Sequence, residues 1–177
     1  MRYLLIFLAC TITTAKAQHL DAARALITRI IPQRAADFSV EPLTSTGEDV
    51  FEVQSAKGKI ILRGNNGVSI ASALYCYLTE FCHCQITWNG TNLHLPEKLP
   101  AVPKTTRRLS PWRYRYYLNY CTFNYSMSWW DWDRWQKEID WMALHGINMP
   151  LAITGEEYTW RQVYRKMGFT DAELKDF

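Results

Sequence analysis

An α/β fold is predicted for this chain by three features of its sequence. The first is an aromatic and apolar run from Tyr114 to Cys121, fit for a buried strand. The second is a helical pattern with a second apolar run almost directly behind it. After a polar loop from Thr122 to Met127, Ser128 and Asp131 form an S-x-x-D capping box, and Trp132, Trp135, Ile139 and Met142 repeat at helical spacing. His145-Gly146 supplies a C-cap, and the run from Ile147 to Ile153 follows. Strand, helix and strand joined this tightly form a βαβ unit, which implies a right-handed crossover and a parallel sheet. The third feature is a proline-rich, basic stretch from Pro96 to Pro111 that separates this unit from everything before it.

The chain opens on a predicted secretory leader, residues 1–17. Arg2 provides the positive end, Leu4 to Cys10 the short apolar segment and Ala15-Lys16-Ala17 an A-x-A cleavage site. The apolar run falls far short of the ~20 residues a spanning helix needs, and no other stretch reaches that length. Losing Arg2 and Lys16 with the leader takes the 20 basic residues to 18 against 17 acidic ones, a net of +1. Nucleic-acid binding proteins carry a basic face, so this balance argues against a nucleic-acid partner. The mature chain is rich in Trp and Tyr, whose rings stack on sugars, and a sugar ligand is the better expectation.

Residues 18–100 read as a small α+β domain. His19 to Ile31 is a helix with Leu20, Ala23, Ile27, Ile30 and Ile31 on one face and Pro32 just past its end. Val50 to Gln54 and Lys59 to Arg63 alternate around Ser55-Ala56-Lys57-Gly58, a hairpin signal. Asn65-Asn66-Gly67 is a turn into a helix from Val68 to Phe81, with Val68, Ala71, Leu74, Tyr75 and Leu78 inward. Gly64-Asn65-Asn66-Gly67 lacks both G-x-G-x-x-G and a following Lys-Ser/Thr, so it reads as a turn and not as a phosphate loop. Gln85 to Trp88 and Thr91 to Leu95 flank Asn89-Gly90, which suits a type I′ hairpin. Cys76, Cys82, Cys84 and Cys121 remain after the leader. Their even number in an exported chain permits disulfides, and buried thiols are the alternative. Cys82-His83-Cys84 has no second ligand pair at metal spacing, so no metal and no cofactor is expected.

Residues 101–112 are the expected linker, and 113–177 the start of a second, incomplete α/β domain. Glu156 and Glu157 favour the positive end of a further helix whose apolar face is Trp160, Val163, Tyr164 and Met167, closed by Gly168. Thr170 to Glu173 is another capping box. Two parallel strands leave sheet edges open, so the sequence reads as the front end of a longer protein. Pro150 sits awkwardly in the second strand and predicts a bulge or a late start near Leu151.

Ligands of parallel α/β sheets bind beyond the C-terminal strand ends. Strand alternation would put Tyr117, Asn119 and Cys121 on one face, with Asn119 and Cys121 at the mouth of a site. Asn119 offers donors and an acceptor to a sugar hydroxyl, or serves as a strand-end cap; Cys121 lines the site or packs as a thiol. Tyr125, Trp129 and Trp130 offer rings for stacking, with core packing the expected fate of at least one tryptophan. Adjacent Glu156 and Glu157 would diverge on a helix, so they are poor candidates for a catalytic carboxylate pair.

The segments YYLNYCTFNYSMSWWDW, EIDWMALHGIN and TGEEYTWRQVY resemble the start of the α-N-acetylglucosaminidase family, glycoside hydrolase family 89. The likeness is dense from Arg113 to Phe177 and looser before it, where the Val68 to Phe81 helix and Cys82-His83-Cys84 still fit. The resemblance implies a small N-terminal domain followed by the first two βα units of a (β/α)8 TIM barrel, truncated here. It implies an exported enzyme of a secreted, periplasmic or lysosome-like compartment that removes terminal α-linked N-acetylglucosamine from glycans, retaining configuration with two glutamates. That pair is expected beyond Phe177, so no catalytic residue is assigned in this chain. Asn119 and Cys121 match pocket-lining positions of the family, Tyr125 lies in the same block, and Glu156 stands where many relatives carry an amide. The alternatives are a non-catalytic glycan-binding protein, or a barrel glycosidase of other specificity.

Overall fold

The computed structural model describes residues 19–45, 47–152 and 155–175. The predicted leader at 1–17 lies outside these residues, as do Ile153 and Thr154 at the end of the second expected strand.

Helix α1 spans residues 19–30 and buries Ala23, Leu26 and Ile27, with Ile31 buried just beyond it. The chain then forms a four-stranded sheet in the order β1-β3-β2-β6, from β1 (Phe38–Pro42), β2 (Val50–Ala56), β3 (Lys59–Gly64) and β6 (Thr106–Leu109). β1 pairs parallel to β3, and β2 pairs antiparallel to both β3 and β6. The β2–β3 hairpin is tighter than expected. Ala56 pairs with Lys59, so the turn is Lys57-Gly58 alone, and both residues have positive φ (52° and 74°) as a type I′ turn requires. β1 carries no signal in the sequence, and the span containing β6 reads there as a connector. Four polar-edged residues, Thr-Arg-Arg-Leu, show no clear period on their own, and the free edge of β2 recruits them.

Helix α2 (Gly67–Glu80) is the centre of the fold. Asn66 caps it, its side chain accepting from Ser69 N, and eight of its residues are buried, Tyr77, Leu74 and Leu78 fully. The Tyr77 hydroxyl reaches the Pro100 carbonyl at 2.8 Å, which pins the extended segment to the core. Gly64 must be glycine: a Cβ there would meet the Ile70 backbone nitrogen at 2.7 Å. The hairpin β4 (Gln85–Ile86) and β5 (Thr91–Asn92) forms, but not with the predicted turn. Neither Asn89 nor Gly90 has positive φ; Thr87 closes the turn instead, its N–H donating to Gly90 O at 2.8 Å.

The second half contains β7 (Tyr116–Tyr117), α3 (Tyr120–Tyr125), α4 (Trp132–Leu144), β8 (Met149–Pro150) and α5 (Glu156–Lys166). β7 and β8 pair in parallel, Tyr116 with Met149 and Tyr117 with Pro150, as the βαβ reading requires. Both strands are shorter than expected. Pro150 neither bulges nor delays β8. Met149 N–H donates to Arg115 O (3.3 Å) and Leu151 N–H to Tyr117 O (3.0 Å), so the missing donor of Pro150 faces away from β7. The α4 helix begins at Trp132 with Asp131 as its N-cap, while the Ser128 hydroxyl turns back to Phe123 O. Its buried face is Glu138, Asp140, Met142 and Leu144, whereas Trp132 and Ile139 are exposed. The predicted apolar stripe is therefore only partly inward, because two carboxylates are buried by their partners. Asp140 takes a bidentate Arg29 at 2.6 and 2.7 Å, joining α4 to α1. The predicted face of α5 is also largely exposed, with Trp160, Val163 and Met167 open to solvent.

Gly64→Ala is expected to lower unfolding stability by about 1–3 kcal/mol through overpacking against backbone. Gly90→Ala, with open space around it, should be near neutral. Chemical denaturation of the two variants checks the contrast.

Candidate functional site

Parallel pairing puts the C-terminal ends of β7 and β8 on one edge of the two-stranded sheet. The residues leaving that edge are Leu118 and Asn119 from β7, and Leu151 and then the start of α5 from β8.

The strand alternation expected for Asn119 and Cys121 is overturned. Leu118 takes a φ of 76°, which ends the strand, and Asn119 is the N-cap of α3. Its Oδ1 accepts from Thr122 N and Thr122 Oγ1, each at 3.0 Å. An aromatic run does not by itself distinguish strand from helix, and here the capping side chain decides for the helix. Cys121 thus lies in the first turn of α3 and is exposed, and it does not share a strand face with Tyr117. Among the described residues Asn119 bonds through Oδ1 alone, and its Nδ2 donates to none of them.

Tyr125 ends α3 and is 84% exposed, and Trp129 is 94% exposed. Trp130 is packed: its ring meets Trp135 edge-on at 5.1 Å and carries the Arg134 guanidinium at 3.7 Å. Glu156 opens α5 behind Gly155, whose φ is 90° and which supplies no side-chain cap. The capping box after α5 forms as expected, Thr170 N donating to Glu173 Oε2 at 2.9 Å.

The sequence reading missed Glu138. This carboxylate is buried and accepts from Trp88, Tyr117 and Arg134. A glutamate one turn from two tryptophans carried no signal that its side chain faces inward. The four cysteines among the described residues are free thiols, Cys76, Cys82 and Cys84 buried and Cys121 exposed. Burial pushes the Cys76 thiol up to about 11, with Glu80 adding to the rise and Arg108 opposing it. Burial likewise raises Cys82 and Cys84. Among the described residues no group of three or more His, Cys, Asp or Glu is placed to hold a metal ion, and no helix is long and apolar enough to cross a membrane.

Comparison with known proteins accounts for both halves. Residues 21–101 match the α-N-acetylglucosaminidase (NAGLU) N-terminal domain, and residues 115–177 match the tim-barrel domain of the same family. The chain belongs to the α-N-acetylglucosaminidase family. Human α-N-acetylglucosaminidase is 45% identical over 168 residues, 92% of this chain. A family 89 glycoside hydrolase from Clostridium perfringens, solved with 2-acetamido-1,2-dideoxynojirmycin, superposes with a TM-score of 0.83 at 37% identity over 93% of this chain. A form of that enzyme with two Glu-to-Gln substitutions, solved with its substrate GlcNAc-α-1,4-galactose, superposes equally well. The chain spans about a quarter of the human relative (23%) and 19% of the bacterial ones.

In the folded chain, maleimide is expected to modify Cys121 quickly and the other three thiols only after unfolding. With a pKa near 11, Cys76 at pH 8 is thiolate in only about one molecule in a thousand. Mass spectrometry of labelled peptides before and after denaturation checks this.

Proposed function

We propose that this chain is the N-terminal part of an exported, retaining exo-glycosidase that releases terminal α-linked N-acetylglucosamine from glycans. The observation that carries the reading is the parallel β7–β8 pair inside a segment matching the family's barrel domain. The bacterial relative binds GlcNAc-α-1,4-galactose as its substrate, which supports the same class of sugar here. In this reading residues 1–17 are a cleaved leader, 18–100 an N-terminal α/β domain, 101–112 a linker and 113–177 the first two βα units of a (β/α)8 barrel. The protein works in a secreted, periplasmic or lysosome-like compartment.

A retaining glycosidase holds two carboxyl groups about 5–5.5 Å apart, one as nucleophile and one as acid/base. Glu156 and Glu157 are consecutive residues of α5 and project about 100° apart around the helix, so they do not form that pair. In the whole protein the pair stands on later strands. The residues at this edge bind sugar. Asn119 donates through Nδ2 to a hydroxyl while Oδ1 holds α3; Tyr125 offers a ring for stacking; Cys121 and Glu156 line the mouth.

Two expected outcomes test this. The 177-residue chain should not hydrolyse an aryl α-N-acetylglucosaminide, whereas the full-length protein should cleave it to the α-anomer, read by chromophore release and NMR. Absence of turnover by the full-length protein would sink the reading.

In the full-length protein, Asn119→Ala should lose the helix cap, about 1 kcal/mol, and about 5- to 150-fold in kcat/KM from a lost sugar contact. Asn119→Asp keeps an acceptor for Thr122 but loses the amide donor, so activity should fall while the melting temperature holds. Full activity in Asn119→Asp would reduce Asn119 to a cap.

A further inference from the structure

Glu138 is 1% exposed, and a carboxylate so far from water must be paired. Its partners come from three places in the fold. Trp88 Nε1, in the β4–β5 hairpin, donates to Oε1 and Oε2 at 3.1 and 3.0 Å. The Tyr117 hydroxyl, at the end of β7, donates to Oε1 at 2.8 Å. Arg134, one turn back on α4, donates to Oε2 at 3.1 Å. The Arg134 guanidinium is itself held over the Trp130 ring, with Trp88 at 5.7 Å on the same group.

Tyr117 has a singular place in this network. Its carbonyl receives the Leu151 N–H that holds β8, and its ring packs 5.3 Å from that of Trp141. The next residue, Leu118, turns through positive φ and delivers Asn119. Burial and then the Glu138 bond raise the Tyr117 pKa, which keeps its hydroxyl a donor.

We infer that Glu138 is a positioning residue: by gripping Tyr117 it sets the end of β7 that presents Asn119, and through Trp88 it makes that end depend on the N-terminal hairpin. The inference rests on the reading of this strand end as the glycan site. The N-terminal unit then acts on the site without touching substrate, since its contact runs Trp88 to Glu138 to Tyr117 to Asn119. The Glu138 carboxylate takes no part in bond making; its oxygens are occupied by three donors and are closed to solvent.

The test uses the full-length protein and two independent readouts. In Trp88→Phe and Glu138→Gln, amide hydrogen exchange across residues 117–125 should speed up about tenfold, with the β2–β3 sheet unchanged. Tyr117→Phe deletes one hydroxyl and leaves the carboxylate two partners, so it retains the fold should Glu138→Gln disrupt it. On an aryl α-N-acetylglucosaminide, Tyr117→Phe should lower kcat/KM about five- to twentyfold. Combined with Asn119→Ala, the loss should be clearly smaller than the product of the two single losses, because both act through one contact. Unchanged exchange at 117–125, or losses that simply multiply, overturns the inference. Wild-type protein with no turnover refutes the glycosidase reading instead, and the exchange experiment still decides the role of Glu138.

Discussion

Arg115 is the residue on which the junction of the two halves depends. Its guanidinium reaches Asp49 beside β2, the Gly146 carbonyl after α4, Ser110 Oγ and the Trp112 carbonyl. Its backbone carbonyl accepts from Asn148 and Met149, and its N–H donates to Asn148 Oδ1 at 2.9 Å. Asp49 in turn accepts from Asn66, the cap of α2, at 2.5 Å. An exposed ion pair is worth little, but this one is largely covered, at 17% and 21% side-chain exposure, and four of the five guanidinium N–H groups have acceptors. Removing either partner would leave a covered charge alone, which is far costlier than losing a surface bridge. The consequence is geometric. The start of β7, the loop into β8 and the cap of the central helix are all referred to one point.

Helix α4 is placed by the same logic at two further sites. Asp140 binds Arg29 of α1, and Glu138 binds the β4–β5 hairpin and β7. Its remaining inward residues, Met142 and Leu144, pack where directionless apolar contact suffices. Apolar burial supplies the attraction, and the charged contacts fix rotation and height along the helix axis. A helix held this way can leave Trp132 and Ile139 exposed on its far side.

The edge at the C-terminal ends of β7 and β8 inherits its shape from these constraints. β7 and β8 are each two residues long, so little ladder holds them. Their alignment comes from Arg115 at one end and the Tyr117–Glu138 contact at the other. What leaves the edge is set by local capping: Asn119 starts α3, and Gly155 with Glu156 starts α5.

By itself the sequence determined the elements whose signals are local. The α1 and α2 helices, the β2–β3 hairpin, the Gly146 stop and the parallel βαβ unit follow from period, caps and glycine, each acting within a few residues. The family likeness was legible for the same reason, in a dense aromatic block. Tertiary structure alone decided the rest. The β1 and β6 strands exist because β3 and β2 offer edges to pair with. Asn119 and Cys121 left the strand because a cap bond to Thr122 outweighed the extended propensity of an aromatic run. Glu138 and Asp140 turned inward where Trp88 and Arg29, 50 and 111 residues away along the chain, meet them, a distance over which no periodicity speaks.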